Sequence, residues 1–327
     1  MAKSTEKFTA VTRVGLDLAK SVFQVHAVDD RGDAVVARKI RRGAALEFFG
    51  RLNPCVVAME ACASAHHWGR LLIEQGHEVR LIPPAHVKPY VRRGKNDAAD
   101  AAAICEAAMR PGQRFVPVRS IDDQAELMRH RVRELLSGQR TALLNALRGH
   151  LSEIRVIAAQ GVQNAYKLKR LVQEGADDYG EVLVPDNVRA VVKPLAMQIQ
   201  ALDAQIAEID TEIGAAVKRD EKARRLMTIP GIGPVTASAV ISTVPDFSAF
   251  SSGREFAAFL GLTPRQHSSG GKERLGQITK MGDRYPSASS SSLARLLRSI
   301  TREATKTPYV AGQARCWSAK RSNTGSS

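Results

Sequence analysis

The chain has 327 residues, enough for about two domains of ordinary size, and Lys and Arg outnumber Asp and Glu 48 to 33, giving a net charge of +15. With 44% apolar and 25% charged residues it has the composition of a folded protein, and its basic excess points to a polyanionic partner, most simply nucleic acid. No run of about 18 apolar residues is present to span a membrane, the stretch MAKSTEKFTAVTR lacks the apolar core of a signal peptide, and Cys55, Cys62, Cys105 and Cys316 form no CxxC pair, which argues against a zinc ribbon or a disulfide framework. The expectation is a cytoplasmic, nucleic-acid-binding protein with no membrane partner.

Residues 11–118 alternate strand-like and helix-like segments. Strands are predicted over 11–17, 22–29 and, after the DDRGD turn, 34–40. A helix over 44–52, the buried strand CVVAMEA, a helix over 66–75 and the strand HEVRLIPP follow. Alternation of this kind predicts an α/β sheet with parallel pairs. Residues 120–222 read as helical. Arg129, Arg131, Arg133, Arg140 and Arg148 lie among Leu127, Leu135, Leu143, Leu147 and Leu151. Leu195, Ile199, Leu202, Ile206, Ile209 and Ile213 recur at spacings of four and three, the pattern of a heptad seam. One amphipathic helix cannot bury such a stripe alone, so the seam predicts a helical hairpin or a coiled-coil dimer, with one side of an ordinary bundle as the plainer alternative; the seam is expected to join two chains. Glycine and proline punctuate residues 223–285, and a Ser-rich basic tail without a packed-domain pattern follows from 286. The domain expectation is therefore 1–120, 121–222, 223–285 and an atypical, partly disordered tail over 286–327.

Four acids stand out. Asp17 ends the first strand and Glu60 ends the buried strand. Asp97 and Asp100 open a helix in GKNDAADAAAICEAA, three apart and so on one face of its first turn. Taken alone, Asn96 or Asp97 reads equally well as a helix N-cap. Together, two acids at strand ends and two on a helix can converge on hard divalent cations such as Mg²⁺, which take oxygen ligands and serve phosphoryl transfer. The adjacent His66 and His67 have no acidic partner at metal-ligand spacing and read as ordinary side chains.

The segment LMTIPGIGPVTASAVI reads as helix, PGIG hairpin, helix. Gly231 and Gly233 permit a tight turn, and the second helix offers free N–H groups to a phosphate. This is a helix–hairpin–helix pattern for sequence-independent contact with a nucleic-acid backbone; the alternative is a plain helical turn with a glycine cap. In TPRQHSSGGKER, Ser268 and Ser269 lie on a Gly-rich loop with Arg265, His267, Lys272 and Arg274. Such a loop either cradles a phosphate beside a serine nucleophile or is a solvated surface loop.

GLDLAK, the strand-end Glu of AMEA, and KNDAADA resemble the DEDD-type transposases of bacterial insertion sequences. IPGIGPVTA, FAAFLGLTPR and SSGGKERLGQITKMGD resemble that family's C-terminal domain. The resemblance covers about residues 11–285. It implies an RNase H-like, Holliday-junction-resolvase-like catalytic domain, a helical arm and a small helical C-terminal domain. The family's acidic tetrad falls on Asp17, Glu60, Asp97 and Asp100, and its DNA-attacking serine on Ser269. The resemblance further implies Mg²⁺, donor and target DNA, a structured non-coding guide RNA, a homo-oligomer (dimer or tetramer) and a location with the bacterial nucleoid. The chain departs from the family pattern after KMGDRY, where Pro286 and a serine-rich run stand in place of an apolar, Leu/Arg-rich helix; a slipped reading frame would produce such a tail.

The function expected is strand cleavage and rejoining to move an insertion sequence, with Arg265, Lys272 and Arg274 stabilising charge on phosphate oxygens. The alternative is a structure-selective, Mg²⁺-dependent nuclease that uses water in place of serine. An actin-like ATP-binding protein, suggested by DLAKS after a strand, would need a second Gly-rich phosphate loop that the sequence lacks.

Overall fold

The computed structural model describes residues 8, 10–91, 97–159, 161–174, 184–244, 247–261, 263–267, 270 and 274–278. The chain divides into two compact units, Met1–Gln124 and Ala125–Ser327.

The first unit is built on a five-stranded sheet of β1 (Arg13–Leu18), β2 (Val22–Val28), β3 (Ala34–Arg41), β4 (Val56–Glu60) and β5 (Glu78–Ile82), in the order β3-β2-β1-β4-β5. The first three strands form an antiparallel meander, and β4 and β5 run parallel to β1. The β2–β3 connection is closed by its own sequence. The Asp29 carboxylate accepts from the backbone N–H groups of Arg31 (3.0 Å) and Asp33 (2.8 Å), and Gly32 takes a φ of +90°.

Alternation sorts the strand residues onto two faces. Val14, Leu16, Phe23, Val25, Val57, Met59 and Leu81 form one face. They pack with Phe48 and Phe49 of the short helix α1 (Ala45–Phe49) and with Trp68 and Leu72 of α2 (Ala65–Glu74). On the opposite face Ala58 and Ile82 pack with Val87 of the short helix α3 (Pro84–Val87) and with Ala103, Ile104 and Ala107 of α4 (Asp97–Ala107). One residue fixes how deeply α4 seats. A Cβ on Gly15 would lie 2.1 Å from the Ala101 carbonyl oxygen and 2.7 Å from the Cys105 nitrogen, so only glycine admits the helix there.

The remainder is mostly helical. It contains α5 (Ile121–Ser152), α6 (Val162–Glu174), α7 (Asp186–Arg219), α8 (Glu221–Met227), α9 (Pro234–Thr243) and α10 (Gly253–Phe259), then a two-stranded hairpin of β6 (Pro264–Gln266) and β7 (Leu275–Ile278). Helix α7 runs through Pro194, which with Ala190 lies on the exposed side, where water can take the carbonyl that proline leaves without a donor.

The heptad seam on α7 is filled from within the chain, which corrects the expectation that it joins two chains. Ile199 packs with Leu144, Leu147 and Leu151 of α5 and Leu168 and Val172 of α6. Ile213 packs with Ala223 of α8 and Ala237 and Val240 of α9. Between them Leu202 and Ile206 are only 2% and 5% exposed in the single chain. Helices α5 and α7 run antiparallel, for the partners of Arg129, Arg133 and Arg140 descend along α7 as Glu212, Asp210 and Asp203. Arg133 is bidentate on Asp210 at 2.5 and 3.1 Å. Three of the five arginines that lie among the leucines of α5 therefore pair with acids of the same chain.

Among the described residues no helix is long and apolar enough to cross a membrane. Cys55, Cys62 and Cys105 are free thiols, with Cys55 and Cys105 buried. Cys316 and the tail over 286–327 lie outside the described residues.

Candidate active site

Asp17 is the penultimate residue of β1 and Glu60 the last of β4, two strands paired in parallel with Leu16 opposite Met59. That register brings Asp17 and Glu60 to neighbouring strand ends, on the same side of the sheet as Gly15, Ala58 and α4. Both are half-buried, as is Asp100 on α4. The Glu60 carboxyl is pushed above its ordinary range, first by burial and then by the negative charges of Asp17 and Asp100. Three carboxylates drawn from a strand, a neighbouring strand and a helix thus share one electrostatic neighbourhood. Asp97 opens the same helix one turn before Asp100; its side chain lies outside the described part. Among the described residues, no group of three or more His, Cys, Asp or Glu side chains stands at metal-holding distances.

The donor chemistry nevertheless suits a hard cation. All the convergent groups are oxygen donors, and beside them the buried Oε1 of Gln24, directly opposite Asp17 on β2, has no hydrogen-bond partner. Sequence reading passed over Gln24, although a lone amide inside the apolar strand VFQVHAV was a visible signal. It passed over Gly15 as well, although an isolated strand glycine marks a close approach.

His66 takes part in no cluster with the acids. Its Nδ1 accepts from the Arg119 backbone N–H at 3.3 Å. Burial, then Arg119 and Arg70, hold its pKa below the ordinary histidine value.

In the second unit, α8 and α9 flank the PGIG segment. Gly231 has a φ of +86°, so it answers a conformational need. Gly233 does not: at φ −90°, ψ 176° it is extended backbone at the N-cap of α9, and a Cβ there would meet nothing within 4 Å. The expectation that both glycines serve the turn holds for Gly231 alone.

Strands β6 and β7 pair antiparallel, with the His267 N–H donating to the Arg274 carbonyl at 2.8 Å, and Gly270, between them in the chain, has a φ of +57°. Arg265 on β6 and Arg274 at the foot of β7 are exposed. Ser268, Ser269 and Lys272 lie outside the described residues. Sequence reading also missed a buried pair: His130 of α5, fully enclosed, meets Ser238 of α9 through Nε2 and Oγ at 2.9 Å. Burial lowers the His130 pKa to about 4 against a pull upward from Glu126, with Arg133 and Arg129 adding to the fall.

Two family models match the chain. One, described as a transposase of the DEDD IS110 type, matches residues 14–156, and the other, the IS116/IS110/IS902 transposase family, matches residues 223–302. The second match runs past Pro286 and the serine-rich run, beyond the point where the motifs alone end the resemblance. The chain is 48% identical over 275 residues to a probable family 20 transposase of Pseudomonas aeruginosa, covering 84% of this chain and 80% of that protein. It is 38% identical over 274 residues to the transposase of insertion element IS1328 from Yersinia enterocolitica (84% and 80% covered). It is 37% identical over 270 residues to the transposase of IS1111A from Coxiella burnetii (83% and 73% covered).

A mixed α/β domain with a five-stranded sheet, consistent with an RNase H-like fold, followed by a mostly helical remainder and joined to these matches, defines a transposase. The chain belongs to the IS110/IS116 family of DEDD transposases.

Proposed function

We propose that the protein moves an insertion sequence by cutting and rejoining DNA strands, with Asp17, Glu60, Asp97 and Asp100 as a cation-binding tetrad in an RNase H-like domain and Ser269 as the nucleophile. The observation that carries the tetrad is the raised Glu60 carboxyl, held up in part by Asp17 and Asp100. Acids that repel one another at neutral pH cost stability, and a bound cation offsets that cost. Mg²⁺ held there would stabilise negative charge on a scissile phosphate.

The chain's own groups do the rest. The Ser269 Oγ forms a bond to phosphorus as the bond from phosphorus to one sugar oxygen breaks. The proton that the serine gives up is matched by the proton the departing sugar oxygen takes up. The phosphoserine link keeps the phosphodiester energy for rejoining by the reverse exchange. Arg265, Lys272 and Arg274 neutralise the phosphate oxygens. Helices α8 and α9 act as a helix–hairpin–helix, with the N-terminus of α9 turned to a DNA phosphate. Donor and target DNA, a structured guide RNA and further copies of the chain complete the complex on the nucleoid. The net charge of +15 supports polyanionic partners of this kind.

The test is denaturing electrophoresis of the protein with labelled DNA. The unmodified chain forms a covalent adduct. Ser269→Ala binds DNA without forming one, and Asp17→Ala binds DNA but does not cut. Cleavage without an adduct would favour the hydrolytic nuclease, and full cleavage by Asp17→Ala would remove the tetrad.

A further inference from the structure

Gln24 is the third of the seven residues of β2, where the register sets it directly opposite Asp17 on β1 and Lys39 on β3. Directly opposed residues project to the same face of a sheet. Gln24 is therefore on the face that carries Gly15 and Asp17, the face that α4 covers. It is 6% exposed, and its Oε1 is fully enclosed with no hydrogen-bond partner.

A buried amide oxygen left unpaired costs about 1–3 kcal/mol, so its partner is a matter for explanation. No neighbour supplies it: the Lys39 opposite on β3 is exposed and makes no hydrogen bond to the amide oxygen, and Asp17, Glu60 and Asp100, when ionised, are acceptors like the amide oxygen itself. What remains missing is an electron-pair acceptor, and the same acids attract one.

Resting on the reading of the tetrad as a cation site, we propose that Gln24 is a further oxygen ligand of that site, its Oε1 taking the divalent cation directly or through one water that the cation holds. A neutral amide adds a ligand without adding a fifth negative charge to a cluster already strained by repulsion. It also sits on β2, an interior strand on the other side of β1 from β4, so it would hold the ligand geometry from the side opposite Glu60.

The experiment measures Mn²⁺ binding to the full-length protein by calorimetry, with the thermal midpoint of the metal-free protein alongside. Gln24→Met keeps the side-chain length and removes the oxygen. It is expected to weaken Mn²⁺ binding about tenfold, while the metal-free midpoint stays level or rises because an unpaired buried polar atom is gone. Gln24→Glu is expected to tighten Mn²⁺ binding and to lower the metal-free midpoint. Should the methionine variant fail to fold, the glutamate variant carries the test alone. Unchanged Mn²⁺ affinity in the folded Gln24 variants, with affinity lost in Asp17→Asn, overturns the role of Gln24 and leaves the tetrad standing. Unchanged affinity in Asp17→Asn overturns the tetrad itself, and this proposal with it.

Discussion

The backbone of Gly15 passes so close to α4 that a Cβ on it would lie 2.1 Å from the carbonyl oxygen of Ala101. Asp17 follows Gly15 by two residues on the strand, and Asp100 precedes Ala101 by one on the helix. The contact between two residues without functional side chains thus sets how near the acids of strand and helix approach.

Gly15→Ala is accordingly expected to displace α4 and to separate the acids. Overpacking against backbone should cost about 2–3 kcal/mol in urea unfolding, and cleavage should fall at least tenfold, because misplacement of about 1 Å in a catalytic group is that damaging. Gly43→Ala, where a Cβ meets nothing within 4 Å, is the control and should change neither. Retention of both stability and cleavage by Gly15→Ala would show that the helix is free to give way.

The two glycines of the PGIG segment should separate stability from binding. Gly231→Ala places a Cβ at a φ of +86° and should cost about 1 kcal/mol. Gly233→Ala, in extended backbone with open space around it, should leave the thermal midpoint unchanged. If a DNA phosphate approaches the N-terminus of α9, Gly233→Ala still lowers DNA affinity, equally for unrelated sequences, in fluorescence anisotropy. Unaltered affinity in that variant would mean that no backbone comes near Gly233.

Leu202→Asp should disrupt the fold of one chain rather than the association of two. A carboxylate forced into a position 2% exposed costs several kcal/mol, so helical circular dichroism should melt at a markedly lower temperature. A variant that keeps its melting temperature but shows a lower mass in light scattering would restore the seam to a role between chains.

His130 should make the protein acid-sensitive. Its pKa is about 4 in the fold and about 6.5 in the unfolded chain, so between those values the unfolded state binds the extra proton. Stability from this group is complete above about pH 6.5 and is lost as pH falls toward 4, by up to about 3 kcal/mol. Urea midpoints across that range should fall more steeply for the unmodified chain than for His130→Gln. Parallel curves would show that the imidazole titrates in the fold as it does in the open chain.

Much of the first unit was legible because its signals are local. The apolar runs of β1 and β4 end in Asp17 and Glu60, Asp29 and Gly32 close their own turn, and KNDAADA starts a helix at Asp97 as its acidic first turn requires. Spacing along one segment is enough to give such elements, and the motifs then led to the family. The heptad on α7 shows the limit of local pattern. Its spacing demanded a partner for Leu202 and Ile206, but a periodic stripe is satisfied equally by another chain or by α5, and nothing in residues 195–213 distinguishes them. The choice lies in the antiparallel match of Arg129, Arg133 and Arg140 with Glu212, Asp210 and Asp203, up to 83 residues away along the chain.

The sequence by itself determined the five strands and most of the helices of the first unit and the membership of a transposase family, because each is written in short segments whose periodicity or motif is complete in itself. Only the tertiary structure decided that Asp17, Glu60 and Asp100 act on one another, that Gly15 admits α4, that Gln24 is buried opposite Asp17 with its Oε1 unpaired, and that His130 meets Ser238. Each of these depends on strand register or helix seating, where a shift of one residue turns a side chain to the other face, and that register is set by contacts among segments far apart in the chain.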